Sequence, residues 1–323
     1  MAKYPERTFR PSYSVPQDTA QLLRQLEPNQ TPVFGVNTDN FSLAFHRFVP
    51  NEAIETDDLL DDRGRAIDKV RARWLRHVVS GFNTKDSSDL AKLLAACAAL
   101  WVSRTETATR FVSPLLSRLI VGLGGKGPIE IGITVHPITG LPYISGSALK
   151  GLARNYALLT LYADVNGEQD TLDTDALKAF DEMLCRGEGH ELAPTYRDAF
   201  GVSAEVADDS GQAGGCIFYD AILLTCNGPI FSLDVMTPHF KEYYNSGNSN
   251  GRPTTAPHDA DSPNPVTYIT VTEGAEFAFA VGRRKGIRSA VEKQAARWLA
   301  DALSEFGIGA KTAAGYGVFK KPS

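Results

Sequence analysis

Three stretches set glycine beside lysine or arginine in a way that suits anion binding. His136–Arg154 reads HPITGLPYISGSALKGLAR, Gly307–Gly317 reads GIGAKTAAGYG, and Gly122–Gly127 reads GLGGKG. In the first, Ser145 or Ser147 can cap a helix whose free amides, with Ser147 and Lys150, converge on one anion. Gly146 and Gly151 would let a partner backbone come close. Lys150 and Arg154 stand four apart near a helix start, where the macrodipole disfavours cations, at a cost of tenths of a kcal/mol. Such a breach of local preference marks a candidate functional site. In the second, Gly307, Gly309, Gly315 and Gly317 surround Lys311 and Thr312, and a helix stop with a hairpin accounts for only some of them. A loop of exposed amides around one lysine suits a nucleic-acid backbone.

The third stretch matches GxGxxG through Gly122, Gly124 and Gly127. A dinucleotide fold needs a strand before and a helix after this motif. Here Pro128–Val135 follows and alternates like a strand, so a tight turn between strands is the better reading. Lys126 beside that glycine-rich backbone leaves close approach to phosphates open, and a nucleotide-binding enzyme built on Gly122–Gly127 stands as a third-class hypothesis.

Signals for catalysis are sparse. His258, Asp259 and Asp261 resemble a metal cluster but sit in the most polar loop, and Asp61-Asp62 and Asp208-Asp209 read as surface charge. There is no GxSxG elbow and no HExxH. Cys97, Cys185, Cys216 and Cys226 are scattered without a CxxC pair, which excludes a zinc ribbon and disfavours a disulfide framework. His136 reads as a hydrogen-bonding or RNA-contacting side chain. The expectation is a non-enzyme with no catalytic residue, metal or cofactor. Its competitor is an endoribonuclease using His136 or His46 as general acid or base.

The elements positioning these residues alternate in type. Phe41–Val49 shows strand alternation through Phe41, Leu43 and Phe45; 66–79 and 88–101 read as helices, the first turning Ile67, Val70, Trp74 and Val78 to one face. Ile129, Ile131, Ile133 and Val135 predict a half-buried strand. A helix from Ser145 carries Leu149, Leu152, Tyr156 and Leu159 inward, another lies near 172–184, and Cys216–Cys226 reads as a buried strand. Strands at 266–272 and 276–281 precede a helix over 289–306, with Ser289 and Glu292 as a capping box, Val291, Ala295, Trp298, Ala302 and Phe306 inward, and Gly307 as its stop. This order predicts an α+β fold: an RRM-like, ferredoxin-like antiparallel sheet with helices on one face, plus large insertions. Residues 1–35 read as an N-terminal arm and 36–323 as one elaborated domain, with an acidic helical insertion about 164–200 and a projecting loop about 234–265.

The chain has 323 residues, 43% hydrophobic and 22% charged, with net charge −5. No apolar run reaches the roughly 20 residues of a membrane span, and the first residues lack a secretory apolar core, so a cytoplasmic, membrane-free protein is expected. The acidic balance argues against a free-standing, non-specific nucleic-acid binder. Charge is uneven, however: Arg283, Arg284, Lys285 and Arg288 cluster, and 311–321 contains no acid.

Through Arg118–Gly124 (RLIVGLG), HPITGLPYISGSALKGLAR, SLDVMTPHFKEYY, SPNPVTYITV and GIGAKTAAGYG, the chain resembles the RAMP proteins of type III CRISPR effectors, above all the sixth subunit of the Cmr (type III-B) complex. Ser145 stands where proline is usual there, and Ala148 where serine is common. The resemblance implies an RRM-like core and a non-catalytic RNA-binding subunit near the 3′ end of the crRNA. That subunit would cap a backbone of related subunits in antiviral defence. It implies crRNA and target RNA as partners, with a backbone RAMP subunit, a small helical subunit and another terminal RAMP subunit. The projecting loop becomes thumb-like. Arg118, Lys126, His136, Ser147, Lys150, Arg154, Lys311 and Thr312 become the RNA-binding set. A RAMP-type endoribonuclease or a type III-A subunit is the alternative.

Overall fold

The structure, a computed structural model, describes residues 40–49, 58–60, 66–83, 87–125, 131–167, 171, 173–206, 211–237, 256 and 265–322. The N-terminal arm, most of 234–265, Asp61-Asp62, Asp208-Asp209, Lys126, Gly127 and His258–Asp261 lie outside these residues. In chain order the described elements are α1 (Phe41–His46), β1 (Asp58–Leu60), β2 (Ala66–Lys69), α2 (Val70–Asn83), α3 (Ser87–Arg104), β3 (Thr109–Pro114), β4 (Tyr143–Ile144) and α4 (Gly146–Asn166). There follow α5 (Thr174–Arg186), α6 (Ala193–Phe200), β5 (Gly201–Val202), β6 (Gln212–Ala213), β7 (Cys216–Phe218), β8 (Ala221–Thr225), β9 (Phe231–Met236), β10 (Val266–Val271), β11 (Glu276–Arg283) and α7 (Ser289–Glu305). Tertiary contacts gather into two units: Met1–Thr84 with Leu123–Ile133 and Phe231–Thr270, and Lys85–Gly122 with Thr134–Ile230 and Val271–Ser323.

In the first unit, aromatic packing decides the secondary structure. Phe41–Val49 is expected as a strand, but Phe41–His46 is helical. Asn40 caps it, accepting from the Leu43 amide at 3.2 Å. Phe41 and Phe45 also stand four apart, so a helix buries both and leaves Leu43 41% exposed. Phe41 stacks on Phe231 at 4.1 Å, and Phe45 on Trp74 at 5.7 Å. The Asn83 side chain grips Phe231, donating to its carbonyl at 2.8 Å and accepting from its amide at 3.3 Å. β9 pairs with β10, and β1 pairs antiparallel with β2.

The second unit is built on an antiparallel sheet ordered β3-β11-β8-β4, with β7 also paired to β11. β11 is buried from Phe277 to Gly282. α7 packs on β11 and on α4, burying Val291, Ala295, Trp298, Leu299, Ala302 and Leu303. Mixed helices with an antiparallel sheet agree with the expected α+β class.

Several local expectations change. Ile131, Ile133 and Val135 are buried as their alternation implies, yet 131–134 form no strand. Gly132 bonds to Leu123 and Thr134 to Val121, but Gly122 between them has φ +83°, so no continuous ladder forms. Cys216–Cys226 is two strands parted at Tyr219-Asp220. The capping box at Ser289 is absent: Arg288 holds the cap position without a side-chain bond. Glu292, 2% exposed, instead accepts from the Thr109 amide at 2.8 Å and hydroxyl at 2.7 Å, and pairs with Arg283. A buried carboxylate needs such partners more than a helix start needs a cap. Phe306, expected inward, is 37% exposed and meets Tyr156 edge-on; Leu152 and Leu159 are half-buried.

Candidate nucleic-acid interface

Helix α4 begins where Gly140, at φ +70°, closes a turn with its amide on the His136 carbonyl at 2.8 Å. Val135 bridges Pro142, and Tyr143-Ile144 joins β8. Ser145, not Ser147, is the cap, accepting from the Ala148 amide at 3.3 Å. Ser147 is exposed, its hydroxyl 3.1 Å from that of Ser145. The first amide of the helix, on Gly146, donates to the Asp220 carboxylate at 2.7 Å. The helix start thus holds an internal anion. The expected convergence of its amides, Ser147 and Lys150 on one external anion is not the arrangement built.

The glycines of this segment divide. A Cβ at Gly146 would stand 2.0 Å from the Phe218 carbonyl oxygen, so this glycine serves the packing of α4 on β7 rather than approach by a partner. Gly151 is exposed with open space around it. His136 is exposed, accepts weakly from the Thr139 amide at 3.4 Å and meets the Tyr143 ring edge-on at 6.2 Å. Ile138, at the turn's tip, is 80% exposed.

The terminal glycine loop lies along 118–120. Gly317 donates to the Arg118 carbonyl at 2.8 Å and Ala310 to the Ile120 carbonyl at 2.8 Å. Lys311 has φ +60°, and its carbonyl accepts from Ala314 and Tyr316, which wraps Thr312–Ala314 into a 3-10 turn. Arg118, Lys311 and Thr312 are thereby brought to one region. Gly122 packs against Thr134, since a Cβ there would stand 2.3 Å from the Thr134 hydroxyl. Most loop glycines are needed internally: a Cβ at Gly317 would lie 1.9 Å from the Ile308 oxygen, at Gly309 2.2 Å from the Ile120 oxygen, and at Gly307 3.0 Å from the Gly317 oxygen. Gly124 and Gly315 are exposed and open.

Lys150 and Arg154 turn elsewhere. Arg154 donates to both Asp181 oxygens at 2.9 and 2.8 Å and lies over the Tyr196 ring, while the Tyr196 hydroxyl donates to Asp181 at 2.6 Å. Burial pushes the Tyr196 hydroxyl upward, reinforced by its bond to Asp181; for Arg154, burial opposes the charge and the surrounding acidic partners, Asp181 among them, more than offset it. Nothing in the sequence pointed to Asp181, which pairs across 27 residues. Lys150 is half-buried, and a Cβ at Gly214 would stand 2.7 Å from its amine. Burial lowers its pKa, Cys216 opposes this, and Arg154 and Arg284 add to it. The neighbouring Cys216 thiol is pushed up to about 12 by burial first, which leaves it an unreactive thiol. Among the described residues no group of three or more His, Cys, Asp or Glu is placed to hold a metal, and no helix is long and apolar enough to cross a membrane.

Most of the sheet, the helices α4 to α7 and both glycine segments fall within residues 114–320, which match the family model for the RAMP superfamily; the chain belongs to that family. It is 32% identical over 226 residues to the CRISPR system Cmr subunit Cmr6 of Pyrococcus furiosus, a match spanning 62% of this chain and 64% of that relative's length. A chain from the cryo-EM structure of the type III-B Cmr-beta bound to cognate target RNA shares the fold, with TM-score 0.50 and 20% identity, covering 82% of this chain and 77% of that one. The crystal structure of Cmr6 from Pyrococcus furiosus aligns at TM-score 0.41 and 27% identity, over 66% of this chain and 97% of that one.

Proposed function

We propose that this chain is a non-catalytic RNA-binding subunit of a type III-B Cmr effector, capping its backbone near the 3′ end of the crRNA. Its partners are crRNA, target RNA, a backbone RAMP subunit, a small helical subunit and another terminal RAMP subunit, and its place is the cytoplasm. The identity with Cmr6 over 226 residues carries the reading. The convergence of Arg118, Lys311 and Thr312 through the bonds of Gly317 and Ala310 supports its RNA side. The antiparallel sheet is taken as an RRM-like core and 36–323 as one elaborated domain, with the acidic region about 164–200 inserted and 234–265 as its thumb.

The RNA-contacting set is Arg118, Lys126, His136, Ser147, Lys150, Arg154, Lys311 and Thr312. Contact to phosphates is sequence-independent and strongly salt-dependent. The test is Lys150→Glu with Lys311→Glu in the assembled complex. The expected outcome is loss of crRNA at lower salt than for the unaltered complex. Equal crRNA retention across a salt titration would sink the assignment.

A further inference from the structure

A second basic region of the second unit lies away from the terminal glycine loop. Arg283 ends β11, and Arg284, Lys285 and Arg288 follow on the turn into α7. All four are exposed. Gly286, at φ +94°, makes the turn, whose Ile287 amide bonds to the Arg284 carbonyl at 3.2 Å. Two contacts pin the turn to the Gly214-Gly215 backbone. The Arg284 amide donates to the Gly215 carbonyl at 2.9 Å, and Ile287 occupies the space a Gly215 side chain would need. Lys150 reaches the same backbone from α4, beside Gly214. The terminal glycine loop leaves the other end of α7, whose 17 residues span about 25 Å.

Among the described residues, the carboxylates paired here are already engaged. Glu292 pairs with Arg283, while Asp198 faces Arg197 at 3.6 Å and Arg288 at 3.9 Å. Among the described residues, Lys150, Arg284 and Lys285 have no carboxylate partner. Burial first lowers the Lys150 pKa, Cys216 opposes it, and the Arg154 and Arg284 charges add to the lowering, which agrees with the packing of Lys150 beside Gly214 and near Arg284. In a chain of net charge −5 such a patch is locally out of character.

We propose that Lys150, Arg284 and Lys285 form a second phosphodiester-binding surface, separate from the Arg118–Lys311 region, along which a single-stranded RNA backbone runs. Cations presented by two elements, Lys150 half-buried on α4 and Arg284 and Lys285 exposed on the turn, packed against the buried Gly214-Gly215 backbone, fit an extended ligand with one charge per repeat better than one compact anion. A guanidinium fork beside lysines is suited to phosphate oxygens. This rests on the RNA-binding reading above and adds a site to it. It groups Lys150 with the turn into α7 rather than with Arg118 and Lys311.

The test is binding of a fluorescein-labelled uridine homopolymer to the full chain by anisotropy across a salt series, for the unaltered protein and for Arg284→Glu with Lys285→Glu. Both positions are exposed on a turn, and an unchanged melting temperature verifies the fold. Two lost phosphate contacts lower the slope of log K against log salt by about 1.4 and weaken binding about tenfold or more near 0.1 M salt. Lys311→Glu, at the other surface, leaves the Arg284 and Lys285 contribution in place, so the triple variant falls further. An unaltered chain that binds with salt dependence, beside a double variant of equal affinity and slope, overturns this site and leaves the RNA reading standing. Absence of salt-dependent binding by the unaltered chain overturns both. Displacement of the homopolymer by polyglutamate at equal charge concentration overturns the site as one for RNA and assigns it to an acidic protein segment.

Discussion

The two glycine-and-lysine segments of the second unit look alike in sequence and differ in construction. In Gly307–Gly317 the glycines hold backbone against backbone: Gly309 on Ile120, Gly317 on Ile308, Gly307 on Gly317. In His136–Arg154, Gly146 has that role, against Phe218, while Gly151 faces open space. Glycine beside lysine therefore signals close internal approach at least as often as a cradle for a ligand. The largest effect should come where a Cβ has nowhere to go. Gly317→Ala combines φ +73° with a Cβ 1.9 Å from a carbonyl oxygen, and should cost about 3–5 kcal/mol in urea unfolding. Gly315→Ala, at φ +86° in open space, meets only the left-handed penalty of about 1–2 kcal/mol. Equal losses would break the distinction between packed and open glycines within the loop.

The cations divide in the same way. Arg154 is engaged by Asp181 and Tyr196, whereas Lys150 has no carboxylate partner among the described residues. Asp181→Asn removes the charge Arg154 pairs with and weakens the acceptor for a fully buried tyrosine. With 38% of the Arg154 side chain exposed, solvent screens part of the loss. The expected cost is about 1–3 kcal/mol by thermal or urea unfolding. Lys150→Met keeps the aliphatic stem and should stay within about 0.5 kcal/mol of the unaltered protein. A Lys150 variant as costly as Asp181→Asn would mean that Lys150 is a structural cation and would remove it from the proposed RNA surface.

Much of the fold was legible because periodicity survives into structure. The helices from Ser145 and from Ser289, the division near Glu273-Gly274 and the burial of Ile131, Ile133 and Val135 follow from spacing alone. The misreadings share a cause. Phe41, Leu43 and Phe45 satisfy both a two-residue and a four-residue repeat, and the Asn40 cap with stacking on Trp74 and on Phe231, nearly 200 positions away, selects the helix. Glu292 looked like half of a capping box because its partners, Thr109 and Arg283, are brought by the sheet. For the candidate site, residue types were visible but their partnerships were not. Asp220 at the start of α4 and Asp181 on Arg154 are tertiary pairings with no local signature.

A small effect of opposite sign carries the sharpest information about the first segment. Gly151 sits inside α4, exposed, with an ordinary φ and no heavy atom within 4 Å of the place a Cβ would take. Alanine there should stabilise the chain by about 0.5–1 kcal/mol, through helix propensity and a less disordered unfolded state. Gly146→Ala, five residues earlier, should destabilise by several times as much because of the Phe218 carbonyl. Opposite signs at two glycines of one motif would establish that Gly146 is fixed by folding and Gly151 is not. Measuring RNA affinity on the stabilised Gly151→Ala protein then separates the remaining roles. A methyl group on a surface that RNA closely approaches weakens binding while melting temperature rises. If affinity is unchanged, no RNA backbone comes close at Gly151, and the phosphate contacts of α4 are confined to the side that carries Lys150.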